Sequence, residues 1–150
     1  MRDAANRTIE LEPDDALRLQ YAALPWRLSA GGLIEVLLIT SRETRRWVVP
    51  KGWPIKGLAP HLSAAREAFE EAGIEGEAAA EPIGAYHYDK RRRTGVLQPV
   101  RVLVYPLAVA AEQPHWPERE QRNKLWAAPG HAAGLVDEPE LQALIAAFGG

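Results

Sequence analysis

The sequence predicts a mixed α/β domain, arranged either as an α+β protein or as a three-layered α/β/α protein. Three observations support this prediction. The 150 residues fit a single domain, residues 1–150, that is long enough to bury a core. Hydrophobic residues make up 47% of the chain and charged residues 25%, which are the proportions of a globular protein. Apolar runs typical of strands are mixed with two helical patterns, without strict strand–helix alternation.

The first part of the chain is predicted to form a leader and three strands. Residues 1–15 are polar and acidic and are expected to be flexible. Alternating apolar residues predict a strand over residues 17–24, which Pro25 is expected to interrupt because proline lacks a backbone N–H. Two further apolar runs, residues 33–40 and 47–49, predict strands on either side of a charged turn.

A loop and a helix follow. Residues 50–60 contain three prolines and two glycines, which predict a shaped loop without regular structure. The pattern becomes helical from about residue 61 to residue 72, and Gly73 is the expected left-handed residue at the helix end.

The second half is predicted to contain three strands and a final helix. Residues 83–88 and 100–109 form two apolar runs, and the polar, basic residues 90–98 between them predict a hairpin connection. Residues 124–128 predict one more short strand. Residues 138–148 have apolar positions spaced by three and four, as in an amphipathic helix.

Composition excludes several classes of function. The absence of cysteine excludes a disulfide scaffold, a thiol nucleophile and a cysteine-ligated zinc site. The formal net charge of −2 offers no global polycation, so no nucleic-acid partner is expected. No signal-peptide layout or membrane-spanning run is present, which favours a cytoplasmic protein without a membrane partner. The sequence leaves open whether the protein is a monomer or a homodimer.

The predicted central helix carries three carboxylates on one side. At 100° per residue, Glu67, Glu70 and Glu71 fall within about a 100° arc of the helix surface. The face expected to be buried is the opposite one, which carries Leu62, Ala65, Phe69 and Ala72. Three acids so close together repel one another unless a positive group lies nearby.

Oxygen ligands without histidine or cysteine indicate a hard cation, Mg²⁺ or its substitute Mn²⁺. The chemistry that such a site suggests is metal-assisted phosphoryl transfer, in which an activated water attacks phosphorus. The alternative interpretation of the three acids is a solvated face of a surface helix.

A wider pattern surrounds these acids: Gly52-x5-Leu58-x7-Arg66-Glu67-Ala68-x-Glu70-Glu71-x-Gly73-Ile74. It resembles the Nudix box, in which a glycine and a glutamate precede Arg-Glu-apolar-x-Glu-Glu-x-Gly-apolar at this spacing. Every defined position matches except Leu58, which stands where the box has its first glutamate. The resemblance implies a Nudix-type α/β/α sandwich with a mixed β-sheet and a loop–helix–loop catalytic motif.

The same resemblance implies roles for individual residues. Glu70 and Glu71 would be the principal metal ligands, and Glu67 a further ligand or the base that activates water. The main-chain carbonyl of Gly52 would complete the metal site. Arg66 would hold a carboxylate in place by a bidentate contact. Because Leu58 removes the usual glutamate, Arg66 is expected to pair with Glu70 or with an acid outside the box.

A narrower resemblance covers about residues 20–148. Residues 22–27, 39–42, 46–54 and 124–126 are similar to the diphosphoinositol polyphosphate and diadenosine polyphosphate phosphohydrolase branch of the superfamily. It implies a Mg²⁺-dependent enzyme that hydrolyses phosphoanhydride bonds in one of these small polyanionic substrates. The alternatives are another Nudix specificity, such as nucleotide sugars or RNA 5′ ends, a non-catalytic phosphate sensor, and an interaction module.

Basic residues cluster near the expected site, and arginine suits phosphate because its planar donors bind two oxygens at once. The candidate substrate-binding residues are Arg27, Arg42, Arg46, Lys51, Lys90, Arg91 and Arg92. The alternative for residues 90–93 is a solvated turn. Glu118 and Glu120 are candidates for a base outside the box, with an exposed charged turn as the favoured interpretation.

Overall fold

The computed structural model describes residues 18–149, in which eight strands form one mixed sheet. The strands are β1 Arg18–Leu28, β2 Ile34–Thr40, β3 Trp47–Val48, β4 Lys51–Gly52, β5 Ile74–Ala78, β6 Gly84–Arg91, β7 Leu97–Glu112 and β8 Lys124–Ala127. The helices are α1 Pro60–Ala72, α2 Pro129–Ala133 and α3 Pro139–Phe148, with a 3-10 turn at Arg119–Gln121.

The two longest strands, β1 and β7, form the centre of the sheet and run parallel to each other. The other pairings are antiparallel, with β2 and β4 on β1, β3 and β8 on β2, and β5 and β6 on β7. This combination confirms the predicted mixed sheet.

Alternation along the strands sends side chains into two separate cores. Ala23, Leu37 and Ile39 pack on one face with α1, whereas Leu24 and Leu38 belong to the core on the other face. That second core also includes residues of α2 and α3. Helices therefore cover both faces, which confirms the predicted α/β/α sandwich.

Helix α1 buries a different stripe from the predicted one. Ala64, Ala68 and Ala72 are fully buried at a spacing of four residues, and small side chains at this spacing let a helix pack close to a sheet. Leu62 is 46% exposed and borders an open hollow, so the prediction that it is buried is wrong, and Phe69 beside it is only half-buried. Of the predicted buried face, Ala72 is fully buried in the core and Ala65 packs against it, half-buried.

The end of α1 is the predicted one. Gly73 has φ of 71° and ψ of 22°, and its N–H donates to the Phe69 carbonyl at 2.9 Å. The close approach of Trp116 also requires glycine, because a Cβ at residue 73 would lie 2.5 Å from the Trp116 ring. The helix therefore turns directly into β5, a strand that the sequence analysis did not predict.

Strand β1 continues through Pro25, so its predicted interruption is wrong. Pro25 pairs with Leu107 of β7 on one side. On the other side the Ala23 N–H donates to the Pro50 carbonyl at 3.0 Å, and residues two apart in a strand point the same way. The Pro25 nitrogen, which carries no hydrogen, therefore faces the gap between β4 and β2. The ladder needs no donor at that point.

The structure differs from the sequence predictions at two further places. The loop predicted over residues 50–60 contains the two-residue strand β4, because Lys51 and Gly52 pair with β1. Helix α2 was not predicted.

The predicted flexible leader, residues 1–15, lies outside the described residues, and the single-domain organisation stays a prediction. None of the helices within residues 18–149 has the length and apolarity to span a membrane.

Candidate active site

Two carboxylates of α1 meet the loop that contains β4. The Glu67 carboxyl group lies so close to Gly52 that a Cβ at residue 52 would be 2.4 Å from the carboxyl carbon. The Glu71 Oε1 accepts a hydrogen bond from the Lys51 N–H at 3.3 Å. Glu67 also lies close enough to Glu71 for its negative charge to raise the pKa of Glu71. The structure thus brings together three of the four predicted metal-site residues, namely Gly52, Glu67 and Glu71.

Burial shapes the electrostatics of this pair. Glu71 is only 7% exposed, and burial raises its pKa to about 8, although the nearby Arg122 guanidinium opposes the rise. Burial also raises the pKa of Glu67. Conversely, burial lowers the pKa of Lys51 to about 8, against the favourable charge of Glu71. In the absence of a further cation, the pair is therefore poised to retain a proton near neutral pH.

Glu70 lies beside this pair and does not join it. Its negative charge raises the pKa of Glu67, and its main-chain carbonyl accepts from the Glu118 N–H at 3.0 Å. Its side chain does not line the cleft above Glu67 and Glu71. Within residues 18–149, no three acidic or histidine side chains come close enough to form a complete metal cage.

A cleft of about 710 Å³ opens above the carboxylate pair. Five of the predicted substrate-binding residues line it: Arg42, Arg46, Lys51, Lys90 and Arg91. Several of these cations are held in place by the fold. Arg46 contacts Glu138 at 3.0 Å and Asp137 at 3.4 Å, and Arg42 donates to Gln121 Oε1 at 3.1 Å. The cleft thus has an acidic floor and basic walls.

Two predicted substrate-binding residues lie elsewhere. Arg27 pairs with Glu35 at 2.9 Å and Glu112 at 3.1 Å, and its guanidinium lies 4.0 Å from the centre of the Trp126 ring. Arg92 donates to the Gln98 side chain and does not line the cleft. The prediction that Arg27 and Arg92 bind substrate is not supported by their positions, because other protein groups satisfy both side chains.

Arg66 points away from the cleft. It borders the hollow beside Leu58, on the opposite side of α1 from Glu67 and Glu71. Among the described residues no carboxylate pairs with it, so neither of its expected partners, Glu70 or an acid outside the box, is found there. The substitution at position 58 thus replaces an acid with an apolar contact next to an exposed arginine.

The structure adds two charged residues that sequence reasoning undervalued or missed. Glu118 lines the cleft, with its side chain 20% exposed, so the favoured interpretation as an exposed turn is wrong for this residue. Arg122 was not a candidate, yet its side chain is only 8% exposed and lies between Glu118 and Glu71. No local pattern marks Arg122, because its partners are brought to it by the fold.

Aromatic residues form part of the cleft wall. Tyr88 donates to Gln20 at 2.8 Å, and burial raises the pKa of Tyr88 to about 12. Trp53 also lines the cleft and is 39% exposed. His87 lies on the opposite face of β6 from Tyr86 and Tyr88, as strand alternation predicts, and contacts Glu140 outside the cleft.

Comparison with known proteins assigns the fold and the family. No protein-family model matches the chain. Nudix hydrolase 16, mitochondrial, of Arabidopsis thaliana is 30% identical over an alignment of 140 residues that covers 84% of this chain and 77% of that protein. The chain belongs to the Nudix hydrolase family. Nudix hydrolase 21, chloroplastic, of the same plant is 32% identical over 135 residues, which cover 87% of this chain and 66% of that protein, just under two-thirds.

Solved structures share the fold of this Nudix chain. An Ap4A hydrolase of C. elegans in a binary complex has a TM-score of 0.64 at 22% identity, covering 87% of this chain and 94% of that one. The MutT protein of Methanosarcina mazei Go1 has a TM-score of 0.65 at 19% identity, covering 91% and 96%. The NUDIX domain of Shewanella oneidensis NrtR, complexed with ADP ribose, has a TM-score of 0.61 at 12% identity, covering 92% and 93%.

The predictions of the Nudix superfamily and of a Nudix-type hydrolase are confirmed. Members of the family generally use divalent cations. The identity of the cation in this chain stays a prediction. The branch and substrate stay predictions. The cytoplasmic location also stays a prediction, and the names of two relatives place those plant proteins in chloroplasts and mitochondria.

Proposed function

We propose that this Nudix chain is a divalent-cation-dependent hydrolase that cleaves phosphoanhydride bonds in diphosphoinositol polyphosphates or diadenosine polyphosphates. One observation carries the proposal: a carboxylate pair, the buried Glu71 and the half-buried Glu67, forms the floor of a cleft whose walls carry five basic side chains. A polyphosphate needs both features. Its bridging oxygens require a cation at the acidic floor, and its remaining negative charge requires arginine and lysine along the walls.

The donor set at the floor fits Mg²⁺, with Mn²⁺ as a substitute. Glu67 and Glu71 offer only oxygen atoms, and both line the floor of the same cleft. The backbone of Gly52 leaves the space that the Glu67 carboxyl group fills. When bound, the cation would polarise the phosphate oxygens and neutralise charge that develops on them during hydrolysis. Substrate oxygens and water would complete its coordination, since Mg²⁺ retains several such ligands in proteins.

The chain's own residues supply the remaining roles. Arg42, Arg46, Lys90 and Arg91 bind the phosphate groups that are not cleaved, and the Lys51 N–H holds the Glu71 carboxylate at the floor. Glu67, as a carboxylate, can accept the proton of the attacking water. Glu70 can contribute a ligand only if its side chain rotates toward the floor of the cleft. The proposed partner is thus a small polyanion, without nucleic acid or membrane, and the protein acts as a monomer or a homodimer.

Two substrate classes support testing, diphosphoinositol polyphosphates and diadenosine polyphosphates. The C. elegans Ap4A hydrolase shares the fold, and the narrower sequence similarity includes enzymes of both diphosphoinositol polyphosphates and dinucleoside polyphosphates. The five basic residues of the cleft suit either substrate, because both are polyanions. Product analysis therefore has to compare the two directly.

The test is product release from diphosphoinositol pentakisphosphate and from diadenosine hexaphosphate, with and without Mg²⁺. We expect wild type to cleave one of the two only with the cation, and Glu71→Gln to lose about 10²-fold or more of the turnover, the scale of removing a major transition-state stabiliser. The matched control is Glu75→Gln. Glu75 is an exposed acid on β5 that lies outside the cleft and borders the hollow beside Leu58 and Arg66, called here the outer hollow.

Each other outcome has a defined meaning. Binding of both polyphosphates without cleavage would contradict the hydrolase and identify a phosphate sensor. Cleavage of neither substrate, together with cleavage of a nucleotide sugar or an RNA 5′ end, would contradict the proposed branch alone. Equal activity of Glu71→Gln and wild type would contradict the proposed carboxylate floor.

A further inference from the structure

Arg46 lies in the wall of the cleft and is held by two acids at the start of α3. Its Nη1 lies 3.0 Å from Glu138 Oε2 and 3.4 Å from Asp137 Oδ2. Its backbone closes the turn after β2, because its carbonyl accepts from the Ser41 N–H at 2.8 Å and its N–H donates to Ser41 Oγ at 3.2 Å. Both the backbone and the guanidinium of Arg46 are therefore fixed by other residues.

The two acids use only one nitrogen of this guanidinium. Both contact Nη1, and among the described residues no protein group bonds to Nε or Nη2. Nε and Nη2 form the edge of a guanidinium that can bind two oxygens of one phosphate. Because the Arg46 side chain is 34% exposed and lines the cleft, this edge is available to a ligand.

Of the two acids, Glu138 has the environment that makes an ion pair effective. Its side chain is 11% exposed, whereas that of Asp137 is 70% exposed. Water and salt screen an exposed pair strongly and a buried pair much less. The Glu138 backbone is also fixed, because its carbonyl accepts from the Gln142 N–H at 2.9 Å in the first turn of α3. Glu138 is therefore the main restraint on the Arg46 side chain.

The Glu138 side chain contributes little else to the fold. It occupies the N-cap position of α3, where a side chain usually accepts from a backbone N–H, yet it makes no such capping hydrogen bond. Its Oε1 is buried and accepts no hydrogen bond from any described residue. A buried oxygen without a partner lowers stability. The contact with Arg46 is thus the interaction that accounts for a glutamate at this position.

We propose that Glu138 is a positioning residue that holds Arg46 by Nη1, so that the Nε–Nη2 edge is presented as a fork to a phosphate of the substrate. This inference rests on the proposed function, in which Arg46 binds a phosphate group that is not cleaved. An arginine that is already held loses less side-chain freedom when it binds. Helix α3 thereby takes part in substrate binding, although Glu138 itself does not line the cleft.

The test compares two substitutions of Glu138 by their affinity for inorganic tripolyphosphate, measured by isothermal titration calorimetry with a chelator present. Glu138→Ala and Glu138→Gln remove the same charge, but glutamine keeps an oxygen that can accept from Arg46 Nη1. The difference between the two variants therefore measures positioning alone. We expect Glu138→Ala to bind about 3- to 10-fold more weakly than Glu138→Gln, the scale of ordering one long side chain on binding.

Two further measurements separate positioning from a structural role. In an Arg46→Lys protein the affinities of the two Glu138 variants should be nearly equal, because an ammonium group has no planar edge to orient. In steady-state kinetics with Mg²⁺, Glu138→Ala should raise KM and leave kcat unchanged, since the fork binds a phosphate that does not react. A defect in folding would lower the active fraction and hence kcat instead.

Two neighbouring acids provide matched controls. Glu140→Gln should bind tripolyphosphate as wild type does, because Glu140 is exposed and contacts His87 outside the cleft. Asp137→Asn should change the affinity by less than about 2-fold, because an exposed ion pair contributes little. The thermal midpoint of each variant shows whether it has folded. If Glu138→Ala does not fold, Glu138→Ser takes its place, since serine is a favoured N-cap residue and is too short to reach Arg46.

Equal affinity of Glu138→Ala and Glu138→Gln, or tighter binding by Glu138→Ala, would overturn the inference. If wild type cleaves a polyphosphate and this result is found, the inference alone fails. If wild type binds tripolyphosphate but cleaves neither polyphosphate with Mg²⁺, the proposed function fails, and the comparison of the two variants still decides the role of Glu138. Absence of tripolyphosphate binding by wild type would contradict both, because the basic walls would then not hold phosphate.

Discussion

At the scale of single residues, Glu71 has the most unusual environment for a charged group. It is buried beside Glu67, and its compensating partners are the Lys51 N–H and the Arg122 guanidinium. Water solvates this carboxylate in the unfolded chain, so folding disfavours its charged form unless a cation is close. Such a carboxylate destabilises the metal-free protein, and the proposed divalent cation would stabilise its charged form.

This environment predicts how the stability of the metal-free protein depends on pH. The pKa of Glu71 is raised from 4.5 to about 8, so the folded state binds more protons than the unfolded state between these values. The free energy of unfolding should therefore fall as pH rises from about 4.5 toward 8. Urea denaturation at several pH values, with a chelator present, measures this slope.

Glu71→Gln is the control for this pH dependence, since the amide does not titrate and the slope should become smaller. Lys51 titrates at a similar pH with the opposite effect, because its lowered pKa makes stability rise between about 8 and 10.5. The comparison is thus confined to pH values below 7.5. An unchanged slope in the variant would contradict the assignment of the pH dependence to Glu71.

A second prediction at this scale concerns Gly52. In Gly52→Ala the added Cβ would lie 2.4 Å from the Glu67 carboxyl carbon, so this carboxyl group must move. A displacement of about 1 Å in an active site can cost roughly 10²-fold in rate, and we expect kcat/KM to fall by about that factor. Gly130→Ala is the matched control, because nothing lies within 4 Å of a Cβ at that position. Equal kcat/KM values for the two variants would contradict the role of Gly52.

At the scale of elements, α1 separates two environments. One side of the helix directs Glu67 and Glu71 into the cleft, and the alanine stripe next to them packs on the sheet. The other side, with Leu62 and Arg66, borders the outer hollow. The Nudix pattern along the helix thus contains both the proposed site residues, which line the cleft, and residues that lie outside it.

Leu58 also borders the outer hollow and lies outside the cleft, which leads to a prediction about position 58. Leu58→Glu would give Arg66 a carboxylate partner at the hollow, and an exposed ion pair changes the free energy of unfolding by about 1 kcal/mol or less. We expect kcat/KM to change by no more than about 3-fold, because the hollow and the cleft share no lining residue. Steady-state kinetics and urea denaturation measure the two quantities.

Leu58→Gln is the control for this change, since it introduces polarity without charge. A gain of more than 10-fold in kcat/KM for Leu58→Glu alone would contradict the separation of the two sides of α1. It would instead show that the leucine lowers catalysis in the wild-type chain.

At the scale of the whole molecule, the charge distribution is uneven although the net charge is only −2. Basic side chains from the turn after β2 and from the β6–β7 hairpin converge on one cleft, while Arg27 is neutralised elsewhere by Glu35 and Glu112. Such a local concentration of one sign of charge attracts a polyanion more strongly than the net charge suggests.

This distribution predicts separate effects for two arginines. Arg91→Gln should raise KM for the polyphosphate about 3- to 10-fold, and the KM of wild type should rise with salt because exposed charges are screened. Arg27→Gln should leave KM unchanged, even if the loss of its ion pairs lowers stability. The measurement is KM at low and high ionic strength for the three proteins. A raised KM in Arg27→Gln would show that substrate reaches beyond the cleft.

Local patterns in the sequence were sufficient to predict much of this protein. Apolar runs and alternating apolar residues predicted six of its eight described strands, helical spacing predicted α1 and α3, and Gly73 predicted where α1 ends. The resemblance of residues 52–74 to the Nudix box indicated the family and implied that Gly52 lies beside the carboxylates. These features depend on residues near one another in the chain, where periodicity and backbone conformation reveal them directly.

The tertiary structure decided which of these residues meet. Only the sheet pairing shows that Pro25 occupies a gap in the ladder, and only packing shows that Glu71 is buried while Glu70 is left beside the cleft. Arg122 illustrates the reason most clearly, because its contacts with Glu71 and with Thr40 join residues 51 and 82 positions apart. Sequence periodicity reports which face of an element is apolar. The partners of a buried charge depend instead on how distant elements pack, and packing is a property of the folded chain.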